Sequence, residues 1–207
     1  AWGYPMVLYA WPVARLMGAQ IINGAIRFAG PITPFSELWW YLKLTTPISD
    51  MVIANSQAGL RLFGNSKSHK FRCIPNGLSS GQLLGAPLGK VKNELRIGNS
   101  KVIGMVANFA DRKDYETPIR AVLELLRRGM DVVFIAVGDG VGLNEAKSLV
   151  SEEYRKRFFF LGRQKDVQRY VEIFDIGVLS TNAKVHAEGM SNAIMEYMVM
   201  EKPVIAT

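Results

Sequence analysis

The chain carries a single cysteine, Cys73, and two histidines, His69 and His186, in 207 residues. One thiol excludes an internal disulfide and fits a reducing compartment, and the lack of any Cys/His cluster removes zinc-type sites. There is no Asp-x-Asp pair either, so no carboxylates stand at that spacing to hold a divalent cation. No stretch reaches the roughly 18 apolar residues that a membrane-crossing helix requires. Internal repeats, low-complexity tracts and a signal-peptide pattern are also missing. Because Ala1-Trp2-Gly3-Tyr4-Pro5 lacks an initiating Met and the last residues read as a strand, the chain is expected to be a piece of a longer protein.

What is present describes a globular protein with material for a core: 49% hydrophobic and 21% charged residues. Lys and Arg number 25 against 18 Asp and Glu, a net charge of +7. That excess favours an anionic partner: a nucleotide, a phospholipid surface or nucleic acid. It gathers in three groups, Arg61 with Lys67, Lys70 and Arg72, then Lys90 with Lys92 and Arg96, then Arg155-Lys156-Arg157. Each reads more readily as a solvated face than as a binding patch.

Residues 6 to 17 have helical character ending at Gly18, and 19 to 26 read as a short strand. Gly30-Pro31 and Thr33-Pro34 break the chain before the aromatic run 35 to 44, which includes Trp39-Trp40-Tyr41. A helix there is apolar nearly all round, either a buried or interdomain helix or an interfacial membrane anchor with the Trp rings at headgroup level. Strand 50 to 56, a short helix closed by Gly64-Asn65 and strand 71 to 74 follow. Pro75-Asn76-Gly77 and the Gly-, Leu- and Ser-rich residues up to 89 then mark a boundary between residues 1–76 and 77–207.

Beyond the boundary, strands at 102–107, 131–137, 158–161, 175–180 and 203–206 alternate with helices. One helix is expected to open at Thr117-Pro118 and stop at Gly129, one to run from the Gly138-Asp139-Gly140-Val141-Gly142 loop to about 154, and one to cover 166–173. Five strands with four helical crossovers imply an α/β, doubly wound parallel sheet of the Rossmann type.

Loops that leave such strands gather along one edge, where ligands of open α/β sheets bind. The most informative one runs from His186 to Glu196, with Glu188 and Glu196 eight positions apart and a helix opening near Ser191. Eight residues span about 12 Å or more, enough for two carboxylates to hold opposite ends of one ligand. The amides of a helix N-terminus between them suit a phosphate. Lys113, or Arg112 beside it, lies in the first loop and can neutralise a diphosphate, the alternative being ordinary surface charge. Gly138 and Gly140 let the backbone approach a ligand, and the turn at Arg163-Gln164 can present backbone groups to a base. His186 either touches the ligand or faces water, and His69 sits in a basic turn.

Ile74-Pro75-Asn76-Gly77, Val137-Gly138-Asp139-Gly140, Phe160-Leu161-Gly162, Leu179-Ser180, the run from Glu188 to Glu196 and Lys202-Pro203-Val204-Ile205-Ala206-Thr207 resemble, in order and spacing, the family 4 retaining glycosyltransferases of the two-Rossmann-domain (GT-B) type. The resemblance covers about residues 48 to 207. It implies transfer of a sugar from a UDP- or GDP-sugar to an acceptor hydroxyl with retention, in a protein whose residues 1–76 belong to the acceptor-side domain and 77–207 to the donor-binding domain. By position, Glu188 contacts the donor sugar and Lys113 stabilises the leaving phosphate, as the catalytic pair. Glu196 holds the ribose, while Gly189, Met190, Ser191, Asn192 and Ala193 line the donor, with amides around Ser191 to Ala193 on the diphosphate. Asn108 stands where the family usually has a phosphate-binding arginine, a departure that weakens the electrostatic clamp unless Arg112 or a residue outside this chain compensates. With no Asp-x-Asp pair, a diphosphate here is to be balanced by Lys, Arg and helix amides, so no cofactor or metal is expected. The expected partners are a nucleotide-sugar and a lipid-linked or glycan acceptor, with peripheral contact to an anionic membrane at its cytoplasmic face, and no nucleic acid. A nucleotide-sugar-binding module without transfer, or a sugar-nucleotide hydrolase or epimerase, shares the same fold.

Overall fold

The computed structural model describes residues 3–30, 32–62, 68–78, 90–185 and 187–207. Expectations on Ala1, Trp2, Pro31, the Gly64-Asn65 stop, Lys67, most of the 77–89 segment and His186 lie outside the described residues. The chain divides into two compact units, Ala1–Gly77 with His186–Met190, and Leu78–Val185 with Ser191–Thr207. Among the described residues no helix is long and apolar enough to cross a membrane.

In the first unit, β1 (Ile22–Ile26), β2 (Met51–Ala54) and β3 (Phe71–Cys73) form a parallel sheet in that order. Its core is Ile26, Val52, Ala54 and Leu60, with Phe71 and Cys73 packed against them. Helix α1 (Tyr4–Leu16) is followed by Gly18 at φ +66°, the left-handed turn that a helix stop requires. Ser36 caps α2 (Glu37–Ile48) by accepting from the Trp39 amide at 3.2 Å. Within its own unit α2 is two-sided: Leu42 and Thr45 are buried, whereas Trp40 and Leu44 are about half exposed. Phe35, Trp39 and Trp40 pack together there, tilted and edge to face, with the Lys43 ammonium 5.5 Å from the Trp39 ring. The short helix α3 (Gln57–Leu62) precedes β3.

The second unit is the doubly wound sheet that the strand alternation predicts. Strands β4 (Lys101–Val106), β5 (Val132–Val137), β6 (Phe158–Phe160), β7 (Ile176–Leu179) and β8 (Val204–Ala206) are all parallel, in the order β6-β5-β4-β7-β8. Every residue of β5 is buried because both of its faces are covered. Phe134 and Ala136 pack with Ile119, Val122 and Leu123 of α5 (Glu116–Arg127) on one face. Val133, Ile135 and Val137 pack with Tyr170 and Val171 of α7 (Gln168–Val171) and Tyr197 of α8 (Asn192–Val199) on the other.

Three helical expectations are corrected. The Thr117-Pro118 start shifts back, because the Asp114 carboxylate takes both the Thr117 amide at 3.0 Å and its hydroxyl at 2.6 Å, so capping passes to Asp114 and the helix opens at Glu116. The helix expected to reach 154 stops as α6 (Leu143–Ser148), where the Ser148 hydroxyl returns to the Glu145 carbonyl and Val150 turns into the core. A 3₁₀ turn over Glu152–Arg157 then leads to β6. Helix α7 is four residues long rather than spanning 166–173. A further short helix, α4 (Lys90–Glu94), buries Val91 where no element was expected.

Chain order reverses across the sheet between β4 and β7, the topological switch point. These strands pair through Gly104 and Gly177. A methyl group at Gly104 would meet the Phe174 ring at 2.1 Å, and one at Gly177 the Tyr197 ring at 2.4 Å, so both aromatic rings lie directly on the strand backbones. Pairing ends at Met105 with Val178, and the buried Tyr197 hydroxyl then accepts from the Val106 amide at 2.7 Å and donates to the Val178 carbonyl at 3.4 Å. One phenol thereby pins α8 to the place where the two strands part.

Candidate active site

Parallel strands deliver all their following loops to one edge, and at the switch point two of those loops are joined. After β4, Lys113 pairs with Thr181 in an antiparallel bridge. The Asp114 amide donates to the Ser180 carbonyl at 3.1 Å, and the Ser180 hydroxyl donates to the Asp114 carbonyl. Asn182 bonds to Arg112 through its amide at 3.0 Å and to the Asp111 carbonyl through its side chain at 3.1 Å. Lys113 is half-buried, and Arg112 and Asn108 are exposed. A cavity of about 480 Å³ opens beside this loop, lined by Phe109, Lys113, Tyr115, Gly142, Asn182 and Lys184 among others. Glu196, Gly138, Gly140 and Arg163 are not part of that lining.

The glycine loop after β5 approaches protein backbone. Gly138 (φ +148°) and Gly140 (φ +151°) face the Ala107 and Phe109 carbonyls. Their amides are engaged as well, that of Gly138 with the Gly162 carbonyl at 2.9 Å and that of Gly140 with its neighbour Asp139 Oδ1 at 2.8 Å. Here the glycines let three loops cross, which a sequence alone does not distinguish from close approach of a ligand. After β6, Arg163 is exposed, while the Gln164 side chain donates to the Leu161 carbonyl at 2.6 Å and accepts from the Tyr170 hydroxyl at 3.3 Å.

The tract from Glu188 to Glu196 divides between the units. Glu188, Gly189 and Met190 belong to the first, where Glu188 bridges Phe28 and the Asn76 side chain donates to the Met190 carbonyl at 3.3 Å. Gly189 has to be small there, since a methyl would stand 2.6 Å from Asn55 Oδ1. Ser191, Asn192, Ala193 and Glu196 belong to the second unit. Ser191 is the extended N-cap of α8 and makes no side-chain cap, so the helix opens with its amides undefended by that hydroxyl.

Glu196, half-buried on α8, has its carboxyl held above the ordinary value by burial alone. Asp131, at the opposite edge, is the contrast: the Ser100 hydroxyl and then the Arg157 guanidinium hold it low, a pairing that braces strand starts. Among the described residues no three His, Cys, Asp or Glu side chains gather to hold a metal ion.

Sequence reasoning missed Ser180, Thr181 and Asn182 as builders of this edge beyond the Leu179-Ser180 motif. The available signal was a polar triplet directly after a buried strand.

Residues 100–207, slightly more than half the chain, match the family model described as Glycosyl transferases group 1. A 2-deoxystreptamine glucosyltransferase of Streptomyces kanamyceticus is 24% identical over 93% of this chain and 50% of its own length. Anabaena HepE, solved with UDP, superposes with a TM-score of 0.81 at 20% identity, covering 99% of this chain and 57% of that one. The same protein has been solved with UDP-glucose, at a TM-score of 0.80. S. aureus TarM, solved with UDP among its ligands, gives a TM-score of 0.70 at 17% identity, covering 91% of this chain and 36% of that one. The chain spans about half the length of the relatives it matches. Its α/β fold of parallel sheets is that of the GT-B glycosyltransferases. With the family model covering the whole sheet and every loop of the switch-point edge, the chain belongs to the glycosyl transferases group 1 family.

Proposed function

We propose that the full-length protein transfers a sugar from a UDP- or GDP-sugar to an acceptor hydroxyl with retention at the anomeric carbon. The observation that carries this reading is the arrival of Lys113 and the N-terminus of α8 at one edge of one sheet. Breaking a glycosyl-phosphate bond puts negative charge on the leaving diphosphate, and cations and amides fixed in advance stabilise it most. Lys113, the amides around Ser191 to Ala193 and the exposed Arg112 serve that purpose without a metal. Glu196 takes the ribose hydroxyls. Glu188 takes the sugar hydroxyls as a positioning and charge-stabilising group, and the leaving phosphate assists removal of the acceptor's proton.

UDP-glucose is the first donor to try, given the glucosyltransferase relative and the UDP-glucose complex of HepE. Exposed Phe35, Trp40 and Leu44 beside Lys43 favour a lipid-linked or surface-glycan acceptor reached at the inner face of a membrane, in cell-surface polysaccharide or glycolipid synthesis. Labelled UDP- and GDP-sugars, incubated with full-length protein and with separate lipid and glycan extracts, test the reading. A labelled lipid or glycan product supports it, whereas free sugar alone means hydrolysis and defeats it.

Glu196→Gln separates binding from folding. The folded carboxyl titrates above its unfolded value, so its contribution to stability is complete at pH below the unfolded value and is lost as pH rises through the folded one. At neutral pH the charge is therefore a burden that Gln removes, and the melting temperature of the ligand-free variant rises. Ribose hydroxyls donate to the ionised form, so nucleotide affinity falls about 10-fold in the variant. In the parent protein, affinity weakens as pH drops through the raised Glu196 value. Calorimetry at two pH values, with thermal melts, reads both effects; unchanged affinity in the variant would remove the ribose role.

A further inference from the structure

We infer that Asn182 is a positioning residue for Lys113, a latch that holds the cation's loop in register; this rests on the transfer reading above. Lys113 is gripped from both sides. On its C-terminal side, Ser180 and Asp114 exchange the amide and hydroxyl bonds described above. On its N-terminal side, the Asn182 backbone amide donates to the Arg112 carbonyl at 3.0 Å, a bond that any residue there keeps, and the Asn182 side chain adds a bond to the Asp111 carbonyl at 3.1 Å. The acceptor end of the same side chain takes the Lys184 amide at 3.2 Å, closing its own loop into a tight turn. One amide group therefore stiffens the β7 loop and clamps the β4 loop to it.

The chemistry selects asparagine. The site needs an N–H aimed at the Asp111 carbonyl and an oxygen aimed at the Lys184 amide, and a carboxylate of the same shape offers acceptors only. The clamped loop, Asp111-Arg112-Lys113, is largely exposed and has Lys113 as its half-buried member. An ammonium on a four-carbon stem acts at a defined point only if its backbone is fixed. Charge on the leaving diphosphate develops in the transition state, so a displaced cation lowers kcat more than it raises KM.

The test uses the full-length protein and its best nucleotide-sugar donor, with Asn182→Ala, Asn182→Asp, Lys113→Ala and the Asn182→Ala/Lys113→Ala double variant. Both Asn182 variants are expected to lose about 10- to 100-fold in kcat, with donor KM within about twofold. The double variant is expected to be no slower than Lys113→Ala, since a latch has nothing to position once the cation is gone. Wild-type turnover in Asn182→Asp, or a double variant slower than Lys113→Ala by the full Asn182→Ala factor, overturns the latch. Wild-type turnover in Lys113→Ala overturns the transfer role of Lys113 instead. Hydrogen exchange reads the latch without the reaction: Asn182→Ala is expected to speed exchange of the Lys113 and Asp114 amides at least about 10-fold. Unchanged protection of those two amides overturns the latch whatever the enzyme's chemistry.

Discussion

Lys113→Ala in the full-length protein lowers turnover by about 10²- to 10³-fold, the loss expected when one preorganised charge is withdrawn from a developing anion. Its melting temperature is expected to stay near that of the parent, because the loop is also held by its backbone and by Ser180, Thr181 and Asn182. The size of the loss follows from the side chains at two neighbouring positions. Asn108 occupies the position five residues earlier, where the resemblance calls for a second cation, and it is neutral. Arg112 is exposed, so Arg112→Ala is expected to cost far less than Lys113→Ala. Steady-state turnover with saturating donor reads the comparison; a Lys113→Ala enzyme within about threefold of the parent would assign the leaving-group cation elsewhere.

Gly138→Ala is expected to destabilise the protein by about 3 kcal/mol or more. Its added methyl would lie 1.9 Å from the Ala107 carbonyl oxygen, at a φ of +148° that L-residues avoid. Neither backbone can yield easily, since the Ala107 amide is bonded to the Val137 carbonyl at 3.1 Å and the Gly138 amide to the Gly162 carbonyl at 2.9 Å. Gly129→Ala is the control: its φ is +79°, but an added methyl meets nothing within 4 Å, so only the backbone conformation is penalised, by about 1–2 kcal/mol. Urea midpoints of the two variants separate steric conflict from conformational strain. Equal losses would mean that the three-loop crossing is looser than its geometry implies.

The glycine loop also shows where sequence reading stops. Gly138-Asp139-Gly140 announces that something comes close, and its position after a buried strand is legible from composition alone. Whether a phosphate or another loop comes close depends on where the β4 loop lies, which no local pattern encodes. Strand positions and the parallel, doubly wound arrangement were readable because each strand is a short apolar run separated by helical periodicity, and right-handed crossovers leave few arrangements. Helix ends were less readable: Thr117-Pro118 carries a strong start signal, yet Asp114, three residues earlier, accepts from the Thr117 amide and moves the start back to Glu116.

Tyr197 gives the second lesson. In Asn192-Ala193-Ile194-Met195-Glu196-Tyr197 it reads as one more apolar residue on a helix, and its ring is indeed fully buried. Its hydroxyl is spent on the Val106 amide and the Val178 carbonyl, which become available only because β4 and β7 part at that level. Burial pushes that phenol well above its ordinary value, so it stays neutral and acts as a strut. Glu196, the next residue back, is carried on the helix that this strut fixes. Likewise, the assignment of Glu188 to Met190 to the first unit rests on the Phe28 bridge and the Asn76 bond, contacts made 114 residues apart in the latter case. Spacing within a motif carries no information about such partners.

The proposed transfer requires a nucleoside diphosphate to be seated at the switch-point edge by Lys113, Glu196 and the α8 amides. Calorimetric titration of full-length protein with UDP and GDP, in the presence of EDTA, measures that seat alone. One of the two nucleotides is expected to bind with the chelator present, and to bind more weakly to Lys113→Ala and to Glu196→Gln. Absence of binding by either nucleotide, or binding that both variants retain unchanged, would contradict it.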